Sequence, residues 1–165
     1  MSSVVQCIGG WVIVDDDDVP LATRYRWRVD KFGYVHRKVG SAPAGRPRHF
    51  LLHRVICGAP KGVEVDHVNG DPRDNRRSNL RLCTRAENSR NVGPMPYRKH
   101  GLPFKGITPS GKKWAAFITI RRKQRDLGAF DTPEEAARVY DAEARKLFGA
   151  FARTNFPSDS GVMAA

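Results

Sequence analysis

Apolar positions in the first third of the chain fall in short runs separated by turn-formers. Val4, Val5 and Ile8 make one run and Trp11-Val12-Ile13-Val14 the next, both rich in the residue types that suit strands. Residues 15–18 are four aspartates; such a run reads as a solvated turn or a helix start rather than a metal site. Tyr25-Arg26-Trp27 and Phe32-Gly33-Tyr34-Val35 read as hairpin strands around a Lys-Phe-Gly turn, with their aromatics in the core. Residues 41–48 are rich in Pro, Gly and Arg and read as a loop. Residues 50–56 read as a strand turning into a short helix, with Leu52, Val55 and Ile56 inward.

The centre of the chain is the most informative stretch. Val63 and Val65 lead into Asp66 and His67, and a polar loop follows with turn signals at Asn69-Gly70 and Asp71-Pro72. Order resumes at Asn79-Leu80 and continues to Leu82. Thr84 with Glu87 three residues on has capping-box spacing, which puts Asn88 about one turn into a helix. The predicted order is strand, long loop, strand, helix. An EF-hand reading of Asp66, Asn69, Asp71 and Asp74 fails, because the glycine is misplaced and Arg77 stands where the closing glutamate belongs.

Beyond the centre, residues 93–103 carry Gly93, Pro94, Pro96, Gly101 and Pro103 with Arg98 and Lys99, the composition of a basic linker. Residues 113–120 alternate, with Trp114, Ala116, Ile118 and Ile120 on one face of a predicted strand. Residues 121–125 read as a basic hairpin tip, and Leu127, Gly128 and Phe130 as a third strand. A helix follows with Thr132 as N-cap, Pro133 first, Glu135 completing a capping box and Gly149 beyond the end. Ala136, Tyr140, Ala144 and Leu147 or Phe148 line its apolar face.

Composition narrows the partners. The 165 residues carry a formal net charge of +12, with 40% hydrophobic residues. That excess favours a polyanion, nucleic acid first. No stretch reaches transmembrane length, and the start lacks the basic region of a signal peptide. The cysteines Cys7, Cys57 and Cys83 are odd in number and none forms a C-x-x-C pair, so neither a zinc knuckle nor a disulfide partner is expected. A reducing compartment follows.

The central residue types also carry chemistry. Asp66 is a hard anionic oxygen donor and Asn88 offers an amide oxygen; together they suit one Mg²⁺ that keeps waters and takes its other ligands from a phosphate. His67 is placed to take a proton from water, and Asn79 to hold the imidazole in one tautomer. Asp66, His67, Asn69, Gly70, Asp74, Asn75, Arg76, Asn79, Leu80 and Arg81, then Thr84, Glu87 and Asn88, together resemble the HNH endonucleases of the phage and intron-associated branch. The resemblance implies a ββα-metal fold, Asp66 and Asn88 as metal ligands, His67 as general base and Asn79 as the orienting residue. Asn rather than His at the last position favours a single Mg²⁺ or Mn²⁺ over zinc. His53 and Arg54, and Arg76 and Arg81 within the motif, are candidate phosphate contacts.

From Tyr97 to Arg125 there are nine Lys or Arg and no acid, whereas the following helix carries Glu134, Glu135, Asp141 and Glu143. The sheet side is therefore the expected nucleic-acid face. Lys105-Gly106-Ile107, Lys113-Trp114-Ala115-Ala116, Leu127-Gly128 with Phe130-Asp131-Thr132, Glu134-Glu135-Ala136-Ala137-Arg138 with Tyr140-Asp141, and Asn155-Phe156-Pro157 resemble the AP2 DNA-binding domain. That family reads the major groove with its sheet, which implies contacts from Lys105, Thr108, Lys112, Lys113, Trp114, Arg121, Arg122, Lys123 and Arg125. Thr108-Pro109-Ser110 departs from the plant pattern, where arginines stand.

The expected fold is α+β: a β-rich N-terminal segment with a ββα-metal core over residues 1–92, a linker over 93–103, and an AP2-like three-stranded antiparallel sheet with one helix over 104–157. Residues 158–165 are a small polar tail. The expected function is metal-dependent hydrolysis of double-stranded DNA, as a phage homing-type nuclease in the cytoplasm of a bacterial host. One nuclease site per chain makes a monomer that nicks the simpler expectation. The alternatives are a DNA-binding protein with an inactive nuclease core, and a nuclease of RNA or of branched or damaged DNA.

Overall fold

The computed structural model describes residues 1–41, 47–91 and 103–156. The expected linker lies almost wholly outside them, as does the tail. The chain divides into two compact units, Met1–Ser89 and Arg90–Ala165.

The first unit opens with the hairpin β1 (Ser2–Cys7) and β2 (Gly10–Asp15), paired antiparallel. Alternation along β2 sends Val12 and Val14 fully inward. The aspartate run does start helical structure: a 3-10 turn over Asp16–Asp18 leads into α1 (Val19–Arg24), which the apolar pattern had not revealed. Asp18, however, is buried, because the Arg77 guanidinium closes a bidentate pair on it at 2.9 and 2.7 Å. The second sheet has the order β3 (Arg28–Val29), β4 (Val35–Ser41), β5 (Pro47–Leu51). Strands therefore occupy part of the expected loop, and residues 25–27 are not a strand. Trp27 is nonetheless core, 2% exposed, with Nε1 donating to Leu21 O.

Strand β5 runs directly into α2 (Leu52–Ile56). Leu52 and Ile56 are buried, but Val55 is 37% exposed; on so short a helix the 3.6-residue period leaves it on the outer side. Then come β6 (Glu64–His67), β7 (Leu80–Cys83) and α3 (Arg85–Asn88), the last opened by the predicted Thr84–Glu87 capping box. Val5, Val12, Val14, Ala22, Trp27, Val35, Leu52, Ile56, Val65 and Leu80 form one apolar core.

In the second unit β8 (Ile107–Ser110), β9 (Lys113–Ile120) and β10 (Lys123–Phe130) form an antiparallel sheet with β9 central. Helix α4 (Pro133–Phe148) has the predicted Thr132–Glu135 capping box. Its alanines let it approach the sheet closely: Ala136, Ala137 and Ala144 are fully buried against Ile107, Ala116 and Ile118. Gly106 shows how close this packing is. A Cβ there would lie 2.0 Å from Tyr140 Cδ2, and its φ of +79° is one that side chains disfavour. The buried Asp141 carboxylate accepts from the backbone N–H groups of Asn155 and Phe156, at 2.7 and 2.9 Å, and so pins the segment after the helix.

Candidate active site and nucleic-acid face

Strands β6 and β7 pair so that Asp66 stands opposite Arg81 and His67 opposite Leu80. Neighbouring residues on a strand point to opposite faces. Asp66 meets the Arg81 guanidinium, whose Nε and Nη2 donate to Oδ2 at 2.8 and 2.5 Å. His67 turns toward α2, where its ring packs edge-on against His53 with centroids 5.0 Å apart. The Tyr34 ring borders both, 5.8 Å from His53 and 6.1 Å from His67.

Burial governs the protonation of this pair. His67 is 5% exposed, and desolvation pulls its pKa below the ordinary histidine value. The Asn75 side chain, and then the charges of Asp66, Asp71 and Asp74, act in the opposite direction. His53 is held lower still, at about 3, first by burial and then by the proximity of His67 and Arg54. Both imidazoles are therefore neutral near pH 7. His53 is thus not a cationic phosphate contact, and its Nδ1 is buried without a hydrogen bond among the described residues.

The loop after His67 is held by polar groups. Asn79 Oδ1 accepts from Asn69 N at 2.9 Å, and Asn79 Nδ2 donates to Asn69 Oδ1 at 3.0 Å and to Asp74 O at 2.7 Å. Asn69 Nδ2 donates to Asp74 Oδ2 at 2.9 Å. Asn79 thus fixes the loop, with both of its N–H donors committed. Asn75, fully buried, is the amide beside His67. Backbone bonds from Ile13 N to Arg73 O and from Asn75 N to Ile13 O, both 2.8 Å, strap the loop to β2.

The arginines of this region serve largely within the protein. Arg76 forms a bidentate pair with Asp74, at 2.8 and 2.6 Å, which holds that carboxyl below its usual range. Arg54 donates to the carbonyls of Ala59, Pro60 and Val63 and closes the turn after α2. Each thus has an internal bonding role, although the five N–H donors of a guanidinium are not all used by these bonds.

On α3, Asn88 Nδ2 donates to Glu64 Oε2 at 2.6 Å. This turns the amide nitrogen toward Glu64, which shares a strand face with Asp66 by two-residue spacing. The oxygen donors of Asp66 and Asn88 have the hard character that a magnesium-like ion requires, so the residues present fit such an ion. Among the described residues no three His, Cys, Asp or Glu cluster as a self-sufficient metal cage. Sequence reasoning quoted Asn75 as a motif position without giving it a role, and missed Glu64 and Tyr34. Strand alternation could have suggested Glu64; Tyr34 carried no signal apart from its tertiary partners.

In the second unit the β9–β10 register decides which candidates reach the outer face. Residues opposite each other share a face. Arg125 stands opposite Ile118 and Lys123 opposite Ile120, on the helix side, and Arg125 pairs with Glu143 of α4 at 2.9 Å. Trp114 packs in the core. Register and packing thus put Lys123, Arg125 and Trp114 on the side of the sheet away from its outer face. Lys105 is tied by its backbone to Asn155 and by Nζ to Arg90 O. Lys113 lies at the rim, 3.3 Å from Asp131. Lys112, Arg121 and Arg122 are exposed in turns, and Thr108 shares the outer face with Ala115, its register partner. Among the described residues no helix is long and apolar enough to cross a membrane.

Comparison with known proteins agrees with this division. The HNH endonuclease family model matches residues 50–90, from β5 through α3. An uncharacterized HNH endonuclease of Acanthamoeba polyphaga mimivirus is 30% identical over 150 residues, 89% of this chain and 75% of its own. Protein 3.8 of Escherichia phage T7 is 35% identical over 107 residues, 64% of this chain and 88% of its own. An ethylene-responsive transcription factor of Arabidopsis thaliana, ERF084, is 50% identical over 64 residues, 38% of this chain but only 25% of its own, in keeping with an AP2-like second unit. The loop-pinned Asp66-His67 pair and the alignment across most of the viral relative lead to one conclusion: this chain belongs to the HNH endonuclease family.

Proposed function

We propose that this protein cuts duplex DNA as a homing-type nickase dependent on Mg²⁺ or Mn²⁺, with one site per chain. The observation that carries the reading is the placement of a buried, neutral His67 beside Asp66 on a strand end whose following loop is immobilised by Asn79. A neutral imidazole is the form that accepts a proton. In the proposed step the oxygen of a water bonds to phosphorus, its proton passes to the His67 imidazole, and the bond to the leaving sugar oxygen breaks. Asp66 and Asn88 would hold the metal, which supplies charge neutralisation at the phosphate. Glu64 orients the Asn88 amide through its hydrogen bond. The net charge of +12 supports nucleic acid as the substrate, and the AP2-like unit favours duplex DNA over RNA.

The test is cleavage of supercoiled plasmid and of genomic DNA with Mg²⁺ or Mn²⁺, comparing wild type, His67→Ala and wild type with EDTA. Open circles from the wild type, a roughly 100- to 10,000-fold loss in His67→Ala and silence in EDTA are expected. Linear product at first turnover would refute nicking. Intact plasmid and genomic DNA under conditions where the protein binds them would refute the enzyme and leave a DNA-binding protein.

A further inference from the structure

We propose that the outer face of the β8–β10 sheet, the face that the AP2 resemblance turns to the major groove, selects A·T pairs, with Gln124 as the adenine contact. The inference rests on the duplex-DNA reading above and adds the sequence class it selects.

The outer face follows from register. Thr108, Ala115 and Ala129 form one row across the sheet, Phe117 and Asp126 a second, and Thr119 and Gln124 a third. The bulge between Asp126 and Gly128 keeps Asp126 outward while Leu127 packs inward. Thr108, Ala115, Phe117, Gln124 and Asp126 line one shallow open hollow on this face. Residues two apart on a strand are about 6.6 Å apart, so Ala115 to Thr119 spans about 13 Å. That matches about four base steps of 3.4 Å.

The chemistry of the hollow is unlike that of its rim. The rim carries Lys112, Arg121 and Arg122, all exposed and, among the described residues, without an ion-pair partner. Arg121 and Arg122 form the two-residue β9–β10 turn with φ of +48° and +66°. That geometry favours Asn-Gly; arginines kept there at a conformational cost suit phosphate contact. The hollow itself holds no cation. Asp126 sits within it, with Oδ1 accepting from Gly128 N at 2.9 Å, and a carboxylate there repels phosphate. The centre of the face is therefore suited to base edges while the rim holds the backbone.

The residue types then select the base. Guanine presents only acceptors, N7 and O6, in the major groove and is met by Arg or Lys; the hollow has neither, and Asp126 opposes both acceptors but suits an amino group, N6 of adenine or N4 of cytosine, so that the choice of adenine falls to Gln124. Adenine presents an acceptor and a donor, which one Gln amide satisfies bidentately. Gln124 is exposed at the edge of the hollow. Thymine methyls take apolar contacts, and Ala115, Phe117 and the Thr108 methyl supply them.

The experiment is selection of the full-length protein, in EDTA, on a pool of randomised duplexes, followed by sequencing. The expected consensus contains a run of about four A·T pairs. Gln124→Ala should weaken the selected site roughly 5- to 150-fold and flatten one position, and Gln124→Arg should convert that position to G·C. A G·C-rich consensus, or one unchanged by Gln124→Ala, overturns the proposal. A flat profile whose affinity still falls in Arg121→Ala/Arg122→Ala overturns base reading alone and leaves the sheet as a duplex holder. Affinity indifferent to the rim changes removes the duplex-holding role as well, and the proposal with it.

Discussion

His53 offers a quantitative check on how the paired histidines His53 and His67 are buried. It is 4% exposed and its pKa is lowered to about 3 in the fold, against about 6.5 in an unfolded chain. The unfolded state therefore binds the extra proton, and stability is lost as pH falls below the unfolded value. At pH 7 the penalty is a small fraction of about 1 kcal/mol; at pH 4.5 it approaches about 3 kcal/mol, levelling off near the folded pKa. The perturbation is His53→Phe, which keeps a ring against His67 and Tyr34 but cannot ionise. Urea unfolding of both proteins at the two pH values, followed by tryptophan fluorescence, gives the difference between variants, in which contributions shared by both proteins cancel. The variant should gain roughly 2–3 kcal/mol on the wild type between pH 7 and pH 4.5. A parallel loss of stability in both proteins would refute the argument, as would an NMR titration in which the His53 ring protons move near pH 6.5.

Two further predictions concern the loop and the second unit. Asn79→Ala removes three hydrogen bonds and leaves the Asp74 carbonyl without its Asn79 donor; it should destabilise the first unit by about 1–3 kcal/mol and accelerate hydrogen exchange at the Asn69 amide, and an Asn69 amide as protected as in the wild type would sink the loop-fixing role. Gly106→Ala should cost about 2–5 kcal/mol, from left-handed strain plus overpacking on Tyr140. Gly111→Ala, at φ +60° with nothing within 4 Å of the added carbon, should cost only the strain, about 1–2 kcal/mol; equal melting-temperature losses would contradict the packing argument.

The parts of this molecule legible in its sequence are those specified by local chemistry. Both capping boxes, at Thr84 and Thr132, stand where the spacing placed them, because the cap bonds close within four residues. Strand β9 was legible from its alternation of Trp114, Ala116, Ile118 and Ile120. Partners distant in sequence were not legible. Arg77 meets Asp18 across 59 residues, and no periodicity signals that meeting, so the aspartate run was read as solvated. The AP2 resemblance implies Arg125 on DNA; the two-residue turn puts Lys123 opposite Ile120 and sends Arg125 to the helix. In the site, the Asp-His pair was visible as residue types, but the role of Asn79 depended on which neighbours took its donors. Residue identity reveals what bonds a side chain can make, and only the fold reveals which it makes.

The distribution of arginines separates the forces that hold the fold from those available to hold DNA. In the first unit Arg76, Arg77 and Arg81 each close on a carboxylate that is itself buried, Asp74, Asp18 and Asp66. A loop of polar residues around a nuclease site has few apolar groups with which to fix itself, so charge-assisted bonds do that work. Removing any of these arginines leaves a buried charge, and the resulting loss of activity would report misfolding of the loop rather than loss of a phosphate contact. The rim cations of the second unit, Lys112, Arg121 and Arg122, have no such internal duty. Exposed charges are screened within about 8–10 Å at ordinary ionic strength, buried pairs much less. Rising salt should therefore release DNA well before it loosens the catalytic loop, and this order follows from where each arginine finds its counter-charge.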